Sequence, residues 1–235
     1  MNYYLDTEFL EGAQKKRLLG MPYGDTPETI DLISIGIVSE DNREYYSICN
    51  EFNLEEAWNR HDLKKVYPDE TESGSYLEKV YWIRDNVLFP IYLEHIIGDA
   101  KNIFTFTLKT MRWIIKWYGK SRKEIAAGIK KFCIDDNKYP LSSPIFYGYY
   151  ADYDWVVFCW IFGKMIDLPE GFPNYCIDLK QTLDEKAKQA PVAYNVSLGL
   201  KAIKMSPGYP YQSDEHNALS DARWNKQLHE FINTL

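Results

Sequence analysis

An α/β fold built on one mixed sheet is predicted by three features of this 235-residue chain. Five short runs rich in aromatic and β-branched residues read as strands, at 3–9, 31–38, 43–49, 144–150 and 175–178. The second and third are joined by Ser39-Glu40-Asp41-Asn42, which suits an antiparallel hairpin. The last two alternate with helical stretches, the pattern that adds parallel strands to an existing sheet.

The remaining elements follow from periodicity. Helices are expected at 53–60, 75–97, 107–117, 121–133, 154–163, 179–188 and 217–233. The run Trp155 to Phe162 is apolar all round, so it reads as a buried helix ending at Gly163. In the last helix, Trp224, Leu228, Phe231, Ile232 and Leu235 form one apolar stripe. Residues 194–197 and 205–210 read as a loop-rich, mobile lead-in to that helix, able to close over a ligand. Nothing resembles a linker or an internal repeat, so a single domain over 1–235 is expected.

Carboxylates carry the chemistry. Asp6 and Glu8 lie two apart on the first strand and so project from one face. Adjacent carboxylates repel, and one is pushed toward protonation unless a cation lies between them. Hard divalent cations such as Mg²⁺ and Mn²⁺ favour such all-oxygen ligands. Taken alone, the pair also fits a solvated acidic strand end. Asp221 falls on the inward stripe of the last helix, one turn before Trp224, and a buried carboxylate there needs a partner or a metal. His216 stands in the loop just before that helix, where a histidine beside an inward carboxylate suits proton transfer. Asn217 is the expected N-cap. A further acid follows the strand 144–150, where either Asp152 or Asp154 could cap the buried helix.

These residues resemble a family. Asp-x-Glu on the first strand, a mid-chain Asp after a strand, and His-x-x-x-x-Asp opening the last helix are similar to the three motifs of the histidine-bearing (DEDDh) branch of the DEDD 3'-5' exonucleases. The likeness extends toward the polyadenylate-specific 3'-5' exoribonuclease (RNase AS) family through Tyr4-Leu5-Asp6-Thr7-Glu8-Phe9, Ile30 to Val38, Arg43-Glu44-Tyr45-Tyr46, Trp82 to Leu88, Tyr153-Asp154-Trp155-Val156 and Asp214 to Arg223. These segments span most of the chain in the family's order. The loops from Leu10 to Thr29 and from His95 to Lys120 are longer than the family pattern.

The resemblance implies a ribonuclease-H-like fold and a metal-dependent 3'-5' exoribonuclease that releases nucleoside 5'-monophosphates, with adenine preferred. It selects Asp154 over Asp152 as the mid-chain acid. It further implies that Asp6 bridges two Mg²⁺ or Mn²⁺ ions, that Glu8 and Asp221 complete the shell of the first, and that Asp154 holds the second. His216 becomes the general base. Thr7, Phe9, Lys15, Lys16 and Arg17 are the expected substrate contacts, Phe9 by stacking on the terminal base unless it belongs to the core. RNA 3' ends are the implied partner, and a homodimer is admitted. The same carboxylates would serve a 3'-5' DNA exonuclease, and the same fold a non-catalytic nucleic-acid-binding module.

Composition sets the remaining bounds. A net charge of −7 argues against generic coating of nucleic acid. Cations are nonetheless concentrated: residues 101–131 hold nine against one acid, and Lys15-Lys16-Arg17 form a second cluster in the loop after the first strand. No apolar run reaches bilayer-spanning length, and the acidic start is unlike a signal peptide. Cys49, Cys133, Cys159 and Cys176 lack metal-ligand spacing and read as free thiols of a cytoplasmic protein.

Overall fold

A computed structural model of the protein describes residues 1–18, 21–67, 75–96, 105–134, 143–189 and 196–235. Its centre is a five-stranded mixed sheet flanked by helices, an arrangement compatible with a ribonuclease-H-like fold. The strands are β1 (Asn2–Glu11), β4 (Ile30–Ser39), β5 (Glu44–Ile48), β8 (Ile145–Gly148) and β9 (Ile177–Asp178). They lie in the order β5-β4-β1-β8-β9. β1, β4 and β5 are antiparallel neighbours, and β8 and β9 add in parallel on the far side of β1. Both faces of β4 are buried, which explains its near-continuous apolar run.

One face of the sheet packs on α4 (Arg122–Cys133) and α5 (Asp152–Phe162), and α8 (Ala218–Ile232) crosses the other over β1 and β4. Tyr3, Leu5, Ile33, Ile35, Ile37, Phe146 and Phe158 belong to the main core. A second cluster joins α8 to α6 (Leu179–Gln189) and α7 (Val196–Lys204) through Leu183, Ile203, Trp224 and Leu228. Three short helices, α1 (Leu54–Asn59), α2 (Phe89–Ile96) and α3 (Leu108–Tyr118), pack beside the main core.

Three expectations are corrected. Residues 75–97 are not one helix: β7 (Tyr76–Val80) pairs with β6 (Asp62–Val66), and the chain then enters α2 through a π turn at Arg84–Leu88. Pro90 has no N–H to give Asn86, and the ladder widens there, with the Phe89 N–H reaching the Arg84 carbonyl. The segment after the first strand is a hairpin of β2 (Lys15–Leu18) and β3 (Met21–Asp25), not a loop. Val196–Lys204 is a helix rather than a loop, and it packs so closely on α6 at Gly199 that an added Cβ would lie 2.3 Å from the Ala187 carbonyl oxygen. Tyr194 and Asn195 lie outside the described residues.

The placement of α8 depends on Gly36. A Cβ at this position would stand 2.2 Å from the carbonyl oxygen of Ala218 and 2.5 Å from the Cα of Leu219. Gly36 is also the β4 partner of Asp6. The first turn of α8 therefore rests directly on the sheet beside the first acid. Asn225 Nδ2 donates to the Leu5 carbonyl at 2.9 Å, and Lys226 Nζ donates to Glu40 O and Asn42 Oδ1 in the β4–β5 turn at 2.8 and 2.6 Å. Overpacking of this kind costs about 1–3 kcal/mol. Gly36→Ala is accordingly expected to lower the unfolding free energy by that amount, read as a lower denaturant midpoint at an unchanged m-value, and an unchanged midpoint would mean that α8 is free to shift.

Candidate metal centre

Three acids from two distant elements converge on this face. Single carboxylate oxygens of Asp6, Glu8 and Asp221 all lie within 4.8 Å of one another. Strand alternation aims Asp6 and Glu8 at α8, and the bulge between Glu8 and Phe9 then turns the strand aside. Asp221 occupies the buried side of the first turn of α8, where the Asn217 side chain accepts from the N–H groups of Leu219 and Ser220 as the expected N-cap.

Asp154 approaches from the opposite face. It is buried on α5, and its Oδ1 accepts from Thr7 N at 2.9 Å and Thr7 Oγ1 at 2.5 Å. Thr7, expected among the substrate contacts, is buried and spends its hydroxyl on holding this acid. Neither aspartate caps α5: the cap position is Ala151, and its N–H donates to Asp178 Oδ2 at 2.8 Å. Asp152 is exposed.

The electrostatics follow from this crowding. Burial, then the charges of Asp154, Glu8 and Asp221, hold the Asp6 carboxyl well above the ordinary range. Burial and the charges of Asp221 and Asp154 do the same to Glu8. Burial raises Asp154 to about 6 against the hydrogen bonds from Thr7. Asp221 is raised by burial although Gln212 Nε2 and the His216 N–H donate to it at 2.7 and 2.8 Å. Among the described residues no lysine or arginine pairs with any of the four. An all-carboxylate set with mutual repulsion and no protein cation fits a hard divalent ion.

His216 stands beside the cluster with its backbone in the left-handed region, φ 67°. Its ring meets Trp82 edge-on, with centroids 4.7 Å apart. Trp82 lines a groove with Phe9, Gly12, Arg60 and His61. Phe9 packs edge-on against Tyr153 and against the core while also lining this groove. On the other side, Gln212 borders a hollow walled by Tyr149, Tyr209 and Trp224.

The cationic runs are less available than the sequence suggests. Lys15 pairs with Asp25 at 2.8 Å, and the hairpin carrying Lys15, Lys16 and Arg17 grows from Glu11 and Gly12 at the groove's edge. In the basic stretch, Arg112 pairs with Glu55, Arg122 pairs with Asp31 at 3.1 Å, and Lys101 lies outside the described residues. Gln212 and Trp82 were not singled out from the sequence as site residues. The one sequence signal at Trp82 is that it opens the resemblance segment Trp82 to Leu88, and Gln212 has none.

No family model matches the chain. Two curated proteins named 3'-5' exoribonuclease, from Mycobacterium tuberculosis strains CDC 1551 / Oshkosh and ATCC 25618 / H37Rv, are each 26% identical to it over 231 residues. Those residues cover 98% of this chain and 91% of each relative. The chain is thus similar, at a distance and along its whole length, to proteins of that name. Among the described residues no helix is long and apolar enough to cross a membrane.

A pH test follows from the raised carboxylates. Between the ordinary aspartate value of 3.8 and about 6, the folded chain without metal holds more protons at Asp154 than the unfolded chain. The stability of the metal-free protein is therefore lowered as pH rises through that window, and Asp6, Glu8 and Asp221 act in the same direction. Asp6→Asn should melt above wild type at about pH 7.5 without metal, with the gap closing by about pH 4. Mn²⁺ should raise the wild-type melting temperature more at the higher pH, where protons no longer compete. A response to Mn²⁺ that ignores pH would remove these acids as its ligands.

Proposed function

We propose that the protein is a divalent-metal-dependent 3'-5' exoribonuclease of the DEDDh type, acting as one catalytic domain. The observation that carries this reading is the meeting of Asp6, Glu8 and Asp221 on a chain similar along its length to proteins named for that activity. Mg²⁺ or Mn²⁺, two ions held by Asp6, Glu8 and Asp221 with Asp154 on the flank, would neutralise phosphate charge and make water more acidic at the site. Thr7 keeps the Asp154 carboxylate turned toward β1, and Gln212 and the His216 N–H do the same for Asp221.

His216 accepts the proton of the water whose oxygen attacks phosphorus. The bond from phosphorus to the 3' oxygen of the preceding nucleotide breaks, a nucleoside 5'-monophosphate departs, and solvent protonates the new 3' end. Phe9 supports the terminal nucleotide in the groove. RNA over DNA and adenine over other bases rest on the resemblance described for the sequence. Lys16 and Arg17, with Lys15 when its Asp25 contact opens, hold phosphates of a longer strand.

Incubation with 3'-tailed RNA and matching DNA, with Mg²⁺, Mn²⁺ or EDTA, tests the reading: RNA should shorten from its 3' end, and EDTA should stop it. Asp6→Ala, Asp154→Ala and Asp221→Ala should abolish turnover, whereas Asp152→Ala should not. His216→Ala should lose about 10²–10⁴ in rate with metal binding nearly intact. Loss of metal binding in that variant would make His216 a ligand instead. Replacing Lys15, Lys16 and Arg17 together should weaken binding to long RNA and flatten its salt dependence while sparing very short substrates; an unchanged slope would exclude the hairpin from the RNA path.

A further inference from the structure

His216 is fixed at its backbone but not, by itself, at its ring. Asp214 and His216 both adopt left-handed backbone, φ 55° and 67°, a conformation that non-glycine residues hold only where surrounding contacts impose it. The His216 N–H donates to Asp221 Oδ2 at 2.8 Å, and Asn217 caps α8 immediately after. These contacts place the Cα. They leave rotation about the side-chain bonds open. A proton acceptor works only within hydrogen-bond reach of its donor, so ring orientation must come from somewhere else.

Among the described residues the aromatic partner of the ring is Trp82, centroids 4.7 Å apart and planes at 70°, the edge-to-face geometry that aromatic pairs favour. Trp82 sits between the β6–β7 hairpin and the main core. It follows β7, whose five register pairs tie it to β6, and it precedes Ile83, which packs on the main core. Tyr81 at the same root packs at a tilt against His61 and lies beneath the Arg84 guanidinium, 3.9 Å from its ring centroid. Trp82 remains 41% exposed, so core packing leaves part of its indole free to meet the imidazole. Neither imidazole nitrogen joins the three-acid cluster. The indole thus holds the imidazole beside the acids and outside their ligand set.

We propose that Trp82 is a positioning residue for His216: the indole fixes the imidazole in the orientation from which it takes the proton. This rests on His216 being the general base of the proposed hydrolysis. Trp82 acts through His216, so its effect belongs to kcat and vanishes when the imidazole is absent.

The experiment is a double-mutant cycle at saturating Mn²⁺ with a short RNA, using Trp82→Ala, Trp82→Phe, His216→Ala and the Trp82→Ala/His216→Ala pair. Displacing a catalytic group by about 1 Å costs about 10²-fold, so Trp82→Ala should lose about that in kcat with KM within about threefold. Trp82→Phe, which keeps an aromatic ring at the contact, should recover most of it. In the His216→Ala background, Trp82→Ala should cost less than about threefold more, because the two residues act as one unit. Proton NMR gives a readout apart from turnover. The His216 ring resonance, identified by its absence in His216→Ala, should shift in Trp82→Ala through loss of the indole ring current and return toward its original position in Trp82→Phe. Additive losses, or a Trp82→Ala effect confined to KM, would overturn the proposal and make the indole a base platform instead. An unshifted His216 resonance would overturn it as well. Wild-type turnover in His216→Ala would instead sink the general-base assignment, and the positioning role with it.

Discussion

The close approach of α8 to the sheet at Gly36 is the constraint on which the candidate site depends. β1 carries Asp6 and Glu8, and α8 carries Asp221, so the three meet only if the first helical turn touches the strand pair. A Cβ at Gly36 would collide with the Ala218 carbonyl, which means that glycine sets the helix height. Asn225 then ties the helix to β1, and Lys226 ties it to the β4–β5 turn. Arg223 adds a paired contact to Glu44 at 2.7 Å on the sheet edge. The apolar stripe of α8 packs on α6 and α7, while these polar contacts fix its register along the strands.

That constraint creates an electrostatic conflict, since holding acids together out of water is unfavourable for the metal-free chain. The conflict is not relieved by a lysine or arginine among the described residues. Instead, neutral donors turn individual oxygens: Thr7 toward Asp154, Gln212 and the His216 N–H toward Asp221. Asp6 and Glu8 receive no such donor from the described residues, and burial with the neighbouring carboxylate charges holds both above the ordinary range. A centre organised this way is complementary to a cation rather than to itself, which is the physical ground for treating it as a candidate metal site.

Around the acids the surface is aromatic more than cationic. Trp82 and Phe9 line one side, and Tyr149, Tyr209 and Trp224 wall the other. Several cations expected to face a polyanion are engaged elsewhere, as Arg112 with Glu55 and Arg122 with Asp31. Planar side chains with sparse charge suit the stacking of single-stranded bases better than the tracking of a duplex backbone. This agrees with the acidic balance of the whole chain.

By itself the sequence determined whatever depends on neighbours along the chain. Alternation put Asp6 and Glu8 on one face, the helical stripe turned Asp221 inward, Asn217 marked the start of α8, and Ser39 to Asn42 marked the β4–β5 turn. Those signals act over one turn or one strand, so they survive without knowledge of the fold. Choosing between Asp152 and Asp154 already lay beyond them, because both open the same helix; the family resemblance favours Asp154, and burial with the Thr7 contact from β1 sets it apart. The β6–β7 pairing was hidden for the same reason. Tyr76 to Val80 has no strong local preference, and its partner strand decides its state. Trp82 against His216, Gln212 on Asp221 and Gly36 beneath Ala218 are contacts between remote segments. No periodicity encodes them, and tertiary packing alone brought them together.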